Sequence, residues 1–109
     1  MKEATIDKVK RAALRLAEEH GRIMRDVTSA RSPSGYRDLV MALDPAEYRG
    51  VQFSVHVKPT VVRFIVGDYG MLGMEAAVLT ATFEHVVDAW TEDQVLASMR
   101  ECVEQARRA

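Results

Sequence analysis

The sequence predicts an α+β fold. We read a two-layer sandwich in which an N-terminal and a C-terminal helix pack on one face of a small antiparallel sheet. Two observations carry this. Both ends of the chain repeat apolar residues at steps of three and four, while residues 51–58 alternate apolar and polar one by one and Val62, Phe64 and Val66 recur at every second position. The first period buries one side of a helix, and the second buries one face of a strand. Layering the two closes both apolar surfaces. The expected order is helix, short element, strand, strand, strand, helix.

The first helix rests on the seam Ile6, Val9, Ala13, Leu16, His20, Ile23 and Val27. Asp7 with Arg11, and Glu18 with Arg22, place an acid four residues before a base on its outer side. We read the helix as continuing to about Thr28, because the seam keeps its phase past Gly21. The alternative is an end near His20 with Gly21 as C-terminal cap. Residues 29–35 (Ser-Ala-Arg-Ser-Pro-Ser-Gly) read as a loop. Tyr36 to Leu43 is ambiguous, since it fits a short helix or one face of a strand. Asp44-Pro45-Ala46-Glu47 has the form of a helix start, and Gly50 ends it.

Val51, Phe53, Val55 and Val57 alternate with Gln52, Ser54, His56 and Lys58, and Val62, Phe64 and Val66 alternate with Arg63 on the other side. With Lys58-Pro59-Thr60 between them, these runs predict an antiparallel hairpin. Gly67 to Gly73 reads as a turn. Ala76 to Val87 fits a helix, with Phe83, Val86, Val87 and Trp90 on one side, or a strand; we read it as a strand because it is rich in threonine and β-branched residues. It places Leu79, Ala81, Phe83, His85 and Val87 on one face, with Val78, Thr80, Thr82, Glu84 and Val86 on the other. Thr91-Glu92-Asp93-Gln94 is a capping-box pattern opening the last helix, whose stripe is Val95, Leu96, Met99, Cys102, Val103 and Ala106.

The outer sheet face then carries Gln52, Ser54, His56, Lys58, Arg63, Thr80, Thr82 and Glu84, together with the apolar Val61, Ile65, Val78 and Val86. That is more apolar surface than a solvated face needs. Either the Tyr36–Leu43 element covers it, or it meets a partner or a second copy of the chain.

With 109 residues, 48% hydrophobic and 28% charged, the chain is read as one globular domain, residues 1–109. Net charge is −1, which argues against a bulk nucleic-acid coat or a polybasic membrane binder. The charged N-terminal Met1–Asp7 does not resemble a secretory signal, and no apolar run approaches the ~20 residues of a membrane span. The single Cys102 fits a reducing, cytoplasmic setting.

No phosphate loop, dinucleotide fingerprint, zincin pattern or nucleophile elbow is present, so we expect no catalytic residues, cofactor or metal. The expected function is non-catalytic: an inhibitor, immunity protein or adaptor that occludes a partner protein's surface. In length and lack of motifs the chain resembles the compact inhibitors carried by phages and mobile elements, anti-CRISPR proteins among them. That resemblance is one of size and style and carries no residue across.

Candidate partner-binding residues form three sets. Arg22, Arg25, Arg31, Tyr36 and Arg37 bias one segment toward positive charge. His56 and Arg63 lie on the outer sheet face. Glu84, Asp88, Glu92 and Asp93 form an acidic set able to imitate phosphates if the partner binds nucleic acid. The alternative reading is a nucleic-acid- or phosphate-binding accessory protein using the Arg22–Arg37 segment.

Overall fold

A computed structural model describes residues 1–28, 38–44, 46, 51–68, 77–84 and 86–108. The elements are α1 (Glu3–Glu19), β1 (Met24–Asp26), β2 (Leu39–Leu43), β3 (Val51–Val57), β4 (Val61–Asp68), β5 (Ala77–Glu84), α2 (Val86–Ala89) and α3 (Glu92–Arg108). The strands form one antiparallel meander in chain order, β1-β2-β3-β4-β5, with a three-residue strand at one edge. The two long helices pack together and against one face, α1 on β1 and β2, α3 on β4 and β5. This is the expected α+β sandwich, with a radius of gyration of 13.0 Å, as one domain of this length requires.

Local chemistry sets the helix ends. At the start of α1, the Lys2 carbonyl accepts the N–H groups of Thr5 and Ile6 at 3.1 and 3.0 Å. At its other end the expectation of a helix running to Thr28 fails. The Arg22 N–H reaches the Ala17 carbonyl at 2.8 Å and the Gly21 N–H reaches Glu18 at 3.0 Å, the paired bonds of a Schellman cap. Gly21 supplies the left-handed residue this cap requires, with φ 63°. The apolar phase of Ile23 and Val27 therefore belongs to other structure. Ile23 is 53% exposed, and Met24–Asp26 pairs with β2, Met24 opposite Leu43.

A Cβ at Gly21 would meet nothing within 4 Å, so substitution there costs backbone strain alone. Gly21→Ala is expected to lower unfolding free energy by about 1 kcal/mol in urea melts.

At the start of α3, the Gln94 N–H donates to Thr91 Oγ1 at 3.2 Å and the Thr91 N–H donates to Gln94 Oε1 at 2.8 Å. The capping box forms as its sequence predicts. Asp44 Oδ1 accepts the Ala46 N–H at 3.0 Å, while Pro45 and Glu47 lie outside the described residues.

The Tyr36–Leu43 ambiguity resolves as a strand over Leu39–Leu43, paired with β1 and β3 inside the sheet. All five of its residues are buried. The hairpin forms as predicted: Val57 pairs with Val62, and the Lys58 N–H donates to the Val61 carbonyl at 2.8 Å around Pro59 and Thr60. The predicted strand after it spans Ala77–Glu84 and carries a register shift. Val66 pairs with Leu79 but Gly67 with Ala77, which leaves Val78 without a register partner. Val86, expected on the outer sheet face, instead begins α2.

Leu39, Met41 and Leu43, Phe53, Val55 and Val57, and Val62, Phe64 and Val66 point toward the helices. They close one core with Val9, Leu16, Val95, Leu96, Met99 and Val103.

Candidate functional site: the outer face of the sheet

Side chains alternate along a strand and align across an antiparallel pair. The register therefore builds the outer face in rows. Val40, His56, Arg63 and Thr82 occupy one row, and Ala42, Ser54, Ile65 and Thr80 the next. Val61 stands in register with Glu84. His56 and Arg63 are thus direct cross-strand neighbours.

The face is not uniform. Over β2 it is shut, with Val40 1% and Ala42 5% exposed, and Gln52, expected in solvent, is only 5% exposed. The Tyr36–Leu43 element does not roof the face, because its described residues 39–43 are part of the sheet. Along β3 and β4 the face opens, and Ser54, His56, Val61, Arg63 and Ile65 are all half-buried. Ser54 Oγ lies 3.4 Å from His56 Nε2. Arg63 Nε is shut off from solvent and finds no hydrogen-bond acceptor among the described residues. A desolvated donor without an acceptor costs free energy, so this atom marks a place where an incoming group is favoured.

The other predicted residues are placed differently. Arg22 is half-buried, and its Nη1 donates to the Val51 carbonyl at 3.0 Å, tying the chain after α1 to the start of β3. Arg25 pairs with the Asp44 carboxylate. The Ala46 N–H and Arg25 together hold Asp44 below the usual carboxylate range. These two arginines are employed within the fold, which weakens the phosphate-binding reading; Arg31, Tyr36 and Arg37 lie outside the described residues.

Of the acidic set, Glu84 ends β5 in register with Val61, whereas the other three acids lie beside α1. Asp88 accepts the Thr5 hydroxyl at 2.6 Å, and that bond, with Lys2 and Lys8 nearby, lowers its pKa. Glu92 is held by Arg11 and Arg15, and Asp93 by Arg15 at 2.7 Å. Glu19 binds Arg100 in the same way, joining α1 to α3. Arg11 and Arg22 therefore take partners far away in the chain instead of the expected Asp7 and Glu18. No sequence pattern signals partners 81 and 29 residues away.

Among the described residues no group of three or more His, Cys, Asp or Glu could hold a metal ion. Among the described residues no helix is long and apolar enough to cross a membrane. Cys102 is buried on the α3 stripe, and burial pushes its thiol pKa up, away from the reactive thiolate.

His20 caps α1 with its ring 5.7 Å from that of Phe53. Burial lowers its pKa below the ordinary 6.5, and Arg107 and Arg22 lower it further against the opposing pull of Glu19 and Glu104. The unfolded chain therefore takes the proton first. The stability contributed by neutral His20 is complete above about pH 6.5 and declines as pH falls below that value. Urea midpoints compared at pH 7.5 and 5.5 should differ less in His20→Leu than in the native chain.

Comparison with protein-family models, curated proteins and solved structures finds no match for this chain.

Proposed function

We propose that the protein is a small non-catalytic interaction module, an inhibitor, immunity-type protein or adaptor, which covers part of a partner protein's surface with the open part of its outer sheet face. One observation carries the reading. On a sheet whose inner face is consumed by the helices, Val61 and Ile65 flank Arg63 at half burial, with His56 alongside. Apolar residues around an arginine anchor are the composition of an interface centre. The sheet is rigid, so little order is lost on docking. A cytoplasmic setting agrees with the single buried free thiol of Cys102.

The test is affinity capture from the native host with the native chain and with Ile65→Asp, using Leu14→Asp on the exposed side of α1 as control. The reading requires a captured protein that is lost with Ile65→Asp and kept with Leu14→Asp. Capture insensitive to Ile65→Asp overturns it. A light-scattering mass twice the 12.2 kDa of the chain, returned to single by Ile65→Asp, gives the face to a second copy instead. Heparin retention with steep salt dependence replaces it with nucleic-acid binding.

A further inference from the structure

We propose that Arg63, with His56 beside it, is a carboxylate-binding site that receives an aspartate or glutamate side chain of the docking partner. The inference rests on the outer face being a docking surface and names what the partner must present there.

Arg63 sits near the hairpin end of β4, in register with His56 on one side and Thr82 on the other. Cross-strand neighbours have Cβ atoms about 5 Å apart, so imidazole and guanidinium share one patch. Val61 and Ile65, two residues away on the same strand, bound the patch with apolar surface. The Nε of Arg63 is enclosed without an acceptor among the described residues, and a guanidinium cannot shed its charge to lessen that cost. Once the guanidinium turns outward, an incoming carboxylate restores the missing bond, because the Nε edge and one Nη then present two parallel donors matched to its two oxygens. His56, whose Nε2 lies near Ser54 Oγ, is placed to add a further contact.

A carboxylate suits the site better than a phosphodiester backbone. Nucleic acid is held by a series of cations along its track. On this face the described lysine and arginine residues are Arg63 and Lys58, gathered toward the hairpin end. The sheet's own nearest acid in register, Glu84, stands opposite Val61, one diagonal step from Arg63.

The experiment is a titration of the whole chain with sodium acetate, followed by nitrogen-proton correlation spectra that include arginine Nε–H signals. Sodium chloride at matched ionic strength is the control and inorganic phosphate the comparison. The expected result is a saturable shift of the Arg63 Nε–H and of the Ile65 and His56 amides with acetate. It should be absent in Arg63→Gln and weakened about tenfold or more in Arg63→Lys, which keeps the charge but not the fork. A response equal to chloride, one that survives Arg63→Gln, or one that appears only in Glu84→Gln overturns the proposal. A stronger response to phosphate than to acetate overturns the carboxylate assignment. Failure of the docking reading is distinguishable, because capture would then be indifferent to Ile65→Asp while acetate still bound.

Discussion

Phe64→Ala is expected to destabilise the fold by about 3–5 kcal/mol. Phe64 is fully buried at the centre of β4, opposite Val55, with its ring 6.2 Å from that of Phe53. It belongs to the core that joins sheet and helices, so truncation removes a ring's transfer free energy and leaves a cavity that a rigid sheet cannot close. A domain of this size has roughly 5–15 kcal/mol in total, so one substitution consumes about a fifth or more. The loss should appear in urea unfolding as a lower midpoint with an unchanged slope. Ile65→Ala, one residue along and facing the other way, should cost clearly less, because Ile65 is only half-buried. Equal losses at the two positions would mean that the sheet is closed on both faces.

That asymmetry was readable in advance where a periodic pattern had one buried face to report. Val51–Val57 alternates, and Val62, Phe64 and Val66 recur at every second position, because one side of β3 and β4 meets the helices, and the Thr91–Gln94 box is a signal contained within four residues. The pattern misled where two codes overlapped. His20, Ile23 and Val27 continue a helical phase, yet the Schellman cap at Gly21 prevails, since an amide geometry settled within six residues outweighs an apolar seam. β1 is too short to display a period. β2 is buried on both faces, so its run Leu39-Val40-Met41-Ala42-Leu43 shows no alternation to read.

The site was legible only in parts. Sequence placed His56 near Arg63 on one face but left their direct pairing open, because that depends on the β3–β4 register. It also could not show that Asp88, Glu92 and Asp93 are engaged by α1, since those partners are joined only by tertiary packing. Gln52 was misplaced in solvent for the same reason: alternation names a face without saying how much of that face is covered.

Ile65→Asp is expected to weaken binding of the captured partner about a hundredfold or more, read as Kd by calorimetry on the purified pair. Truncating an interface anchor typically costs 2 kcal/mol or more, about thirtyfold. An aspartate adds a second penalty, because it places an uncompensated charge in the docked, desolvated centre. It also offers Arg63 a carboxylate from its own strand, competing with the partner for the same guanidinium. Folding should change little, since a half-buried position on the outer face adds no cavity to the core. Leu14 provides the contrast. It is 41% exposed on α1, and an isolated apolar residue on a helix surface is ordinary, so Leu14→Asp should leave Kd within about twofold. If the two substitutions weaken binding alike, the contact is spread over the molecule's surface and the β3–β4 face has no special claim to it. If Ile65→Asp alone does so with the urea midpoint preserved, the loss belongs to the interface and not to the fold.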